Sequence, residues 1–230
     1  SAAALFALMH MMITGGVRVW YTPGGVAKLP LALAKNIGVS HGVTVTSVTP
    51  KGNKVEVVHD GVGDLFDAAV VATTGSIARG IVGMLPPSAE EMFSRLSYAT
   101  TMTVAFSIPA TLFPDRVHLT YVPYVENKII SGYDNQVRKS ASLEHEGRAL
   151  LVVYLHEAAT RELARKSRDE IFYTVLQELR KVCHEIGKSG LWAHGSKPGF
   201  RTQDRETKTE LIQPHDYQFW QEAMPKFSHT

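Results

Sequence analysis

The chain has 230 residues, of which 44% are hydrophobic and 20% charged, and its 24 basic residues nearly balance 22 acidic ones. The resulting net charge of +2, spread without a basic block, excludes the electrostatic footprint of a nucleic-acid binder, and the apolar content excludes a disordered chain. The single cysteine, Cys183, rules out an intrachain disulfide and a cysteine-based zinc site, and suits a reducing, cytoplasmic setting.

The opening run AAALFALMHMMI holds about twelve residues, short of the roughly 20 that span a bilayer, and lacks the charged start and cleavage site of a signal peptide. It reads as a buried or partner-facing helix, with membrane-surface contact as the alternative. No initiating methionine precedes it, and the sequence stops just after the mixed aromatic and apolar FWQEAMPKFSHT. Both ends read as those of a fragment.

In WYTPGGVAKLPLALAKNIG, the glycines Gly24 and Gly25 precede a helical face of Leu29, Ala32, Leu33 and Ile37. Pro30 fits the first turn, and Gly38 falls where a left-handed cap would sit. Two readings of the glycines stay open: a plain turn, or a turn whose following helix offers free backbone donors to an anion. Next, a period-two pattern broken by PKGN and HDGVG predicts three strands, at residues 43–49, 54–59 and 65–72. The last contains AAVVAT, whose continuous apolarity predicts burial on both faces. DGVGDLF carries G-x-G without a third glycine and lies between strands, so it predicts a hairpin rather than a dinucleotide fingerprint.

No G-x-S-x-G elbow is present, and Ser76 in TTGSIARG reads as a helix N-cap rather than a nucleophile. Ser88 with Glu91 predicts a capping box for the helix EEMFSRL. TTMTVAFSI, VHLTYV, KIISGYD and RALLVVYLH then predict strands of a larger, mostly antiparallel sheet. A second capping box, Ser167 with Glu170, opens the longest helix, whose face runs through Ile171, Val175, Leu179, Val182 and Ile186 to Gly187. Cys183 in this helix reads as a packing residue rather than a nucleophile. Residues 188–205 read as a loop, and TELIQPHDYQFW as a final strand. The ten histidines show no metal-ligand spacing, and His156 and Glu157, being adjacent, cannot share a helical face. The expected fold class is α+β (α/β), with a mixed, largely antiparallel sheet, packed helices and a small three-stranded unit.

Taken in order, WYTPGGVAKLPLALAKNIGV, VTVTSVTPKGNKVEVV, LFDAAVVATTGSIARGIVGMLPPSAEEMFSRLSY and TTMTVAFSI resemble the central part of a group of FAD-dependent oxidoreductases. The group comprises the protoporphyrinogen oxidases, flavin-containing amine oxidases and phytoene desaturases. FWQEAMPKFS resembles that group's W-x-x-A-x-P-x-[FY] segment. The resemblance implies a domain plan of residues 1–19 as a substrate-domain helix, 20–85 as part of an FAD-binding domain and 86–230 as a substrate-binding domain. It also implies that the G-x-G-x-x-G fingerprint and the last flavin-contacting segment lie outside this sequence, in a missing domain or a partner chain.

By the same resemblance, Val45 matches the first valine of the family's V-x-x-V/I strand, completed by Val48, and holds the adenine end of FAD through its backbone. Ala72, Thr73 and Thr74 match its A-x-P segment, with threonine in place of proline, and Trp220 matches a tryptophan near the flavin ring, a core aromatic being the alternative. The turn at Gly24 and Gly25 becomes the entry to the helix before the adenine-side strand. Amine oxidases of the group place a lysine beyond the A-x-P segment; GSIARGIV offers Arg79 or Gly80 instead, which favours ring or polyene dehydrogenation over amine oxidation. Met11, Met12, Tyr121 and Tyr124 are candidates either for the wall of an apolar substrate pocket or for plain core. The implied function is hydride transfer from an apolar substrate to FAD, with a non-catalytic binding module or one subunit of a split flavoenzyme as the alternatives.

Overall fold

The computed structural model describes residues 22–113, 119–188 and 212–226. Thr22 accepts a hydrogen bond from the Gly25 N–H at 2.9 Å, with Pro23 and Gly24 (φ 83) at the centre, the residue pair that a type II turn requires. Helix α1, Lys28–Ala34, follows and buries none of its residues. Its end departs from the expected cap: Gly38 does not take a positive φ, and the last carbonyls are met by the tight Leu33–Asn36 and Ala34–Ile37 turns.

Strands β1 (Val45–Lys51), β2 (Lys54–His59) and β3 (Val62–Phe66) form an antiparallel meander. The third strand corrects the expected span of 65–72. Asp60 (φ 48) and Gly61 (φ 82) make the whole turn between them, so the strand restarts at Val62. The expected burial of AAVVAT is also corrected. Residues 68–73 join no ladder among the described residues, and Val70 is 93% exposed. A continuously apolar strand needs neighbours on both faces, and the described residues supply none.

Helix α2 (Gly75–Ile81) starts from Thr74 as N-cap, so Ser76 lies inside the first turn instead of capping it. Helix α3 (Pro87–Arg95) starts from Pro86, whose carbonyl accepts from the Ala89 and Glu90 N–H groups. The expected Ser88–Glu91 capping box does not form, because the prolines place the helix start ahead of Ser88. Glu91 pairs with Arg95 one turn on.

The larger sheet contains β4 (Ser97–Pro109), β5 (Leu119–Tyr121), β6 (Ile130–Asn135), β7 (Arg148–Leu155) and β8 (Gln213–Lys226), in the order β5-β6-β7-β4-β8 with every pairing antiparallel. The fold class is the expected one. Strand β8 runs past the expected end at Trp220 because it pairs along β4 as far as Ser97.

Period-two alternation decides which face is buried. Met102, Val104, Phe106 and Ile108 of β4 and Ala149, Leu151, Val153 and Leu155 of β7 enter the core, and their alternates stay half-buried on the opposite face. Helix α4 (Glu157–Leu163) and the long α5 (Arg168–Val182) follow β7, and α5 covers the core with Ile171, Phe172, Val175, Leu176 and Leu179. The Phe106 and Phe172 rings meet edge to face at 5.5 Å. The Ser167–Glu170 capping box forms as expected. The helix nevertheless ends at Val182, five residues before Gly187, where Cys183 turns extended and the short α6 (His184–Lys188) begins. The Tyr133 hydroxyl donates to the Val182 carbonyl at 3.5 Å and meets one of the acceptors that this break frees.

Phe106→Ala is expected to lower stability by about 3–5 kcal/mol, and Ser167→Ala by about 1 kcal/mol. Urea unfolding of the two variants measures both, and near-equal losses would contradict this account of the core.

Candidate functional site

The two sheets are joined through α2, whose first turn meets the larger one. Glu222 of β8 accepts from the Ser76 hydroxyl at 2.6 and 2.5 Å, one distance to each carboxylate oxygen, and Ser76 lies 3.1 Å from the Thr74 hydroxyl. One residue away, the Gly75 N–H donates to the Tyr98 hydroxyl at 2.6 Å. The Ser76 hydroxyl, and then that of Thr74, holds the Glu222 carboxyl below the ordinary carboxylate range. At its other end α2 is tied to the small sheet: the Gly83 N–H donates to the Val48 carbonyl at 2.9 Å, beside a parallel bridge between Val48 and Val82.

Trp220 pairs with Thr101, and Thr103 with Tyr154, so all four share the face of the large sheet opposite α5. Gly132 pairs with both Tyr154 and Tyr121, which extends the row to the outermost strand. Beside this row lies the buried Asp134 carboxylate. It accepts from Lys139 Nζ at 2.7 Å, from the Tyr154 hydroxyl at 2.9 Å and from the Gln136 amide. Burial, and then the Asp134 charge, push the Tyr154 phenol well above its ordinary value. This network joins β6 and β7 to the turn after β6.

The structure therefore links three of the segments singled out in the sequence. The strand of Val45 and Val48, the turn of Ala72, Thr73 and Thr74, and the strand of Trp220 are all connected through α2. Ala72 and Thr73 are exposed, as is Trp220 at 42%. Gly24 and Gly25 form a turn whose following helix is unburied. Tyr121 is half-exposed on the outer row, and Tyr124 meets the His156 ring edge to face at 5.0 Å. Burial pulls the His156 imidazole below its ordinary value. Met11 and Met12 lie outside the described residues. Arg79, which stands where a lysine was sought, donates from Nε and Nη2 to Glu90 at 2.9 and 2.6 Å. Burial pushes the Cys183 thiol up to about 11, as suits a packing residue.

Sequence reasoning missed Glu222, Tyr98 and Asp134. Nothing in the local pattern marks them, since Glu222 meets Ser76 across 146 positions. Among the described residues no helix is long and apolar enough to cross a membrane.

The family model for flavin containing amine oxidoreductases matches residues 1–203. The chain belongs to that family. This match agrees with the resemblance to flavin-containing amine oxidases read from the sequence motifs. Among solved structures, the chain is similar to a protein assigned as protoporphyrinogen oxidase from Exiguobacterium sp. 255-15, with a TM-score of 0.61 and 12% identity over 89% of this chain and 40% of that one. It is also similar to a fatty acid isomerase from P. acnes that produces CLA, with a TM-score of 0.58 and 15% identity over 96% and 44% of the two chains. A putrescine oxidase bound to putrescine matches with a TM-score of 0.53 and 16% identity over 69% and 35%. At these identities the likeness concerns the fold. The family chain described here spans 35–44% of the length of these three structures. Comparison with curated protein sequences returns no match.

One ion-pair cluster contributes to the acid stability of this chain. Glu157 accepts from Lys226 Nζ at 2.7 Å and from Arg161 Nη2 at 2.7 Å, and these two, Lys226 first, lower its carboxyl to about 2. Because the folded value lies below the unfolded one, the pairing stabilises at neutral pH and is lost as pH falls from the ordinary carboxylate range towards about 2. Glu157→Gln is expected to flatten the acid side of the stability–pH curve, as measured by urea midpoints. An unchanged slope would contradict the pairing.

Proposed function

We propose that this chain is the adenine-side strand unit and the substrate-side sheet of an FAD-dependent oxidoreductase that dehydrogenates an apolar ring or polyene substrate. The observation that carries the reading is the convergence on α2 of three family-matched segments that are far apart in sequence. The domain plan follows: residues 20–85 belong to the FAD-binding domain, and 1–19 and 86–230 to the substrate domain.

The residues present suit one side of FAD. The backbone of edge strand β1 at Val45 would suit the adenine edge, the exposed turn at Ala72 and Thr73 would lie beside the cofactor, and the exposed indole of Trp220 would offer a flat apolar wall. Among the described residues the Thr100 hydroxyl is buried without a partner, in the irregular stretch of β4 between Ala99 and Thr101. Gly24 and Gly25 shape the approach to β1. The turn that would receive the pyrophosphate, a G-x-G-x-x-G, does not occur in this sequence. When bound, FAD would supply the two-electron acceptor chemistry that a dehydrogenation needs. This chain's part is to orient the substrate and exclude water, with Tyr121 and the outer row of the large sheet as the wall. The Arg79–Glu90 pair commits the side chain nearest to the lysine position of amine oxidases, which supports carbon rather than amine dehydrogenation.

The exposed apolar side chains of the small unit, from Leu29 and Leu33 on α1 to Val70, favour completion by another segment carrying the fingerprint, either in the same protein or in a partner subunit. A cytoplasmic location, with membrane association as the alternative, remains part of this reading.

The complete purified protein is expected to show the visible absorbance of a flavoprotein. A colourless complete protein that also fails to take up added FAD overturns the proposal. The 230-residue chain alone is expected to bind FAD weakly, and micromolar binding in a fluorescence titration contradicts the assignment of the pyrophosphate site to another segment.

A further inference from the structure

The ladder between β4 and β8 is regular except at two points, and one of them aims Glu222. Between the pairs Ala99–Met224 and Thr101–Trp220, β4 advances two residues while β8 advances four. An irregularity of this kind bends its strand and redirects a side chain, and such bulges concentrate beside functional sites. Here the extra residues carry Glu222 out of the ladder, where its carboxylate takes the Ser76 hydroxyl at 2.6 and 2.5 Å. Tyr98, at the start of β4, reaches the same turn and accepts from the Gly75 N–H. Strand β8 is fastened on both sides of the bulge, by the Arg168 guanidinium on the His215 carbonyl at 2.8 Å and by Lys226 on Glu157 at 2.7 Å.

A regular β8 would hold Trp220 equally well, so the bulge is not needed for the sheet. What it adds is a contact between the strand of Trp220 and the turn of Thr73 and Thr74. Those are the two places on this chain assigned to the flavin side of the cofactor. We propose that Glu222 is a positioning residue: by gripping Ser76 it fixes the Ala72–Ser76 turn relative to Trp220, the two places where this chain would meet the flavin. The inference rests on the FAD reading above. It goes beyond that reading in assigning a role to a residue that no motif marks.

Two measurements on the complete protein test it. In FAD titrations followed by flavin fluorescence, Glu222→Ala and Ser76→Ala are each expected to raise the Kd about fivefold, the scale of one lost hydrogen bond. The double variant is expected to be no worse than either, because both remove one contact. Glu222→Gln, whose amide oxygen still accepts from Ser76, is expected to restore most of the affinity and the visible circular dichroism of bound flavin, which Glu222→Ala changes. Without FAD, hydrogen exchange over residues 75–81 is expected to rise in Glu222→Ala while β7 and α5 keep their protection, which shows that the variant remains folded. A wild type that binds FAD alongside a Glu222→Ala variant of equal affinity and unchanged dichroism overturns the positioning role. Unchanged exchange over 75–81 overturns the grip itself. If the wild type takes up no FAD while exchange still rises, the flavin reading fails together with the cofactor role, and the grip stands as a link between the two sheets.

Discussion

Everything described here hangs on one strand that must serve two partners and two faces at once. Strand β4 pairs with β7 on one side and β8 on the other, so the backbone groups along most of its 13 residues are committed to ladders. Its alternating side chains point either to α5 or to the opposite face. The inward set, Met102 to Ile108, is fully buried and gives α5 its seat through the Phe106–Phe172 contact. The outward set, including Thr101 and Thr103, is the floor on which Trp220 and Tyr154 stand. Because a one-residue slip would exchange the two sets, the packing of α5 fixes the register of the candidate site.

The small sheet depends on that strand only indirectly, through α2. This helix has seven residues and buries only Ala78, too little apolar surface to hold two units together by itself. Polar contacts at its ends do the joining: Val48 with Gly83 at one end, and Ser76 with Glu222 and Gly75 with Tyr98 at the other. Such bonds are directional and weakly stabilising when exposed, so they set a geometry more than they hold the units together. The exposed, ladder-free segment at residues 68–73 and the unburied α1 are consistent with further surface contributed by another segment.

Much of the fold was legible before any coordinates. The alternation in TTMTVAFSI and RALLVVYLH, the D-G turn and the Ser167–Glu170 box are local signals, each with a local physical cause, and all appear in the structure. The misreadings arose where a local signal competed with a neighbour. The S-x-x-E signal at Ser88 lost to two prolines with fixed φ, which placed the helix start ahead of it. The periodic face of α5 continued past Cys183 into Ile186, yet the helix broke at Cys183, where the Tyr133 hydroxyl reaches the Val182 carbonyl. The apolar AAVVAT run indicates what that segment needs, and the described residues do not provide it.

By itself the sequence determined the fold class, the family and the order of the segments, because periodicity, turn chemistry and motif order are properties of a chain read one window at a time. Only the tertiary structure decided that Val48, the Thr73–Ser76 turn and the Trp220 strand are joined by one short helix, and that Glu222 is the residue joining it to β8. Those contacts span up to 146 positions and depend on where a ladder gains two residues, and that is settled by the competition of β4, α2 and β8 for the same space. No window of the sequence contains that competition, so no local reading could have named Glu222.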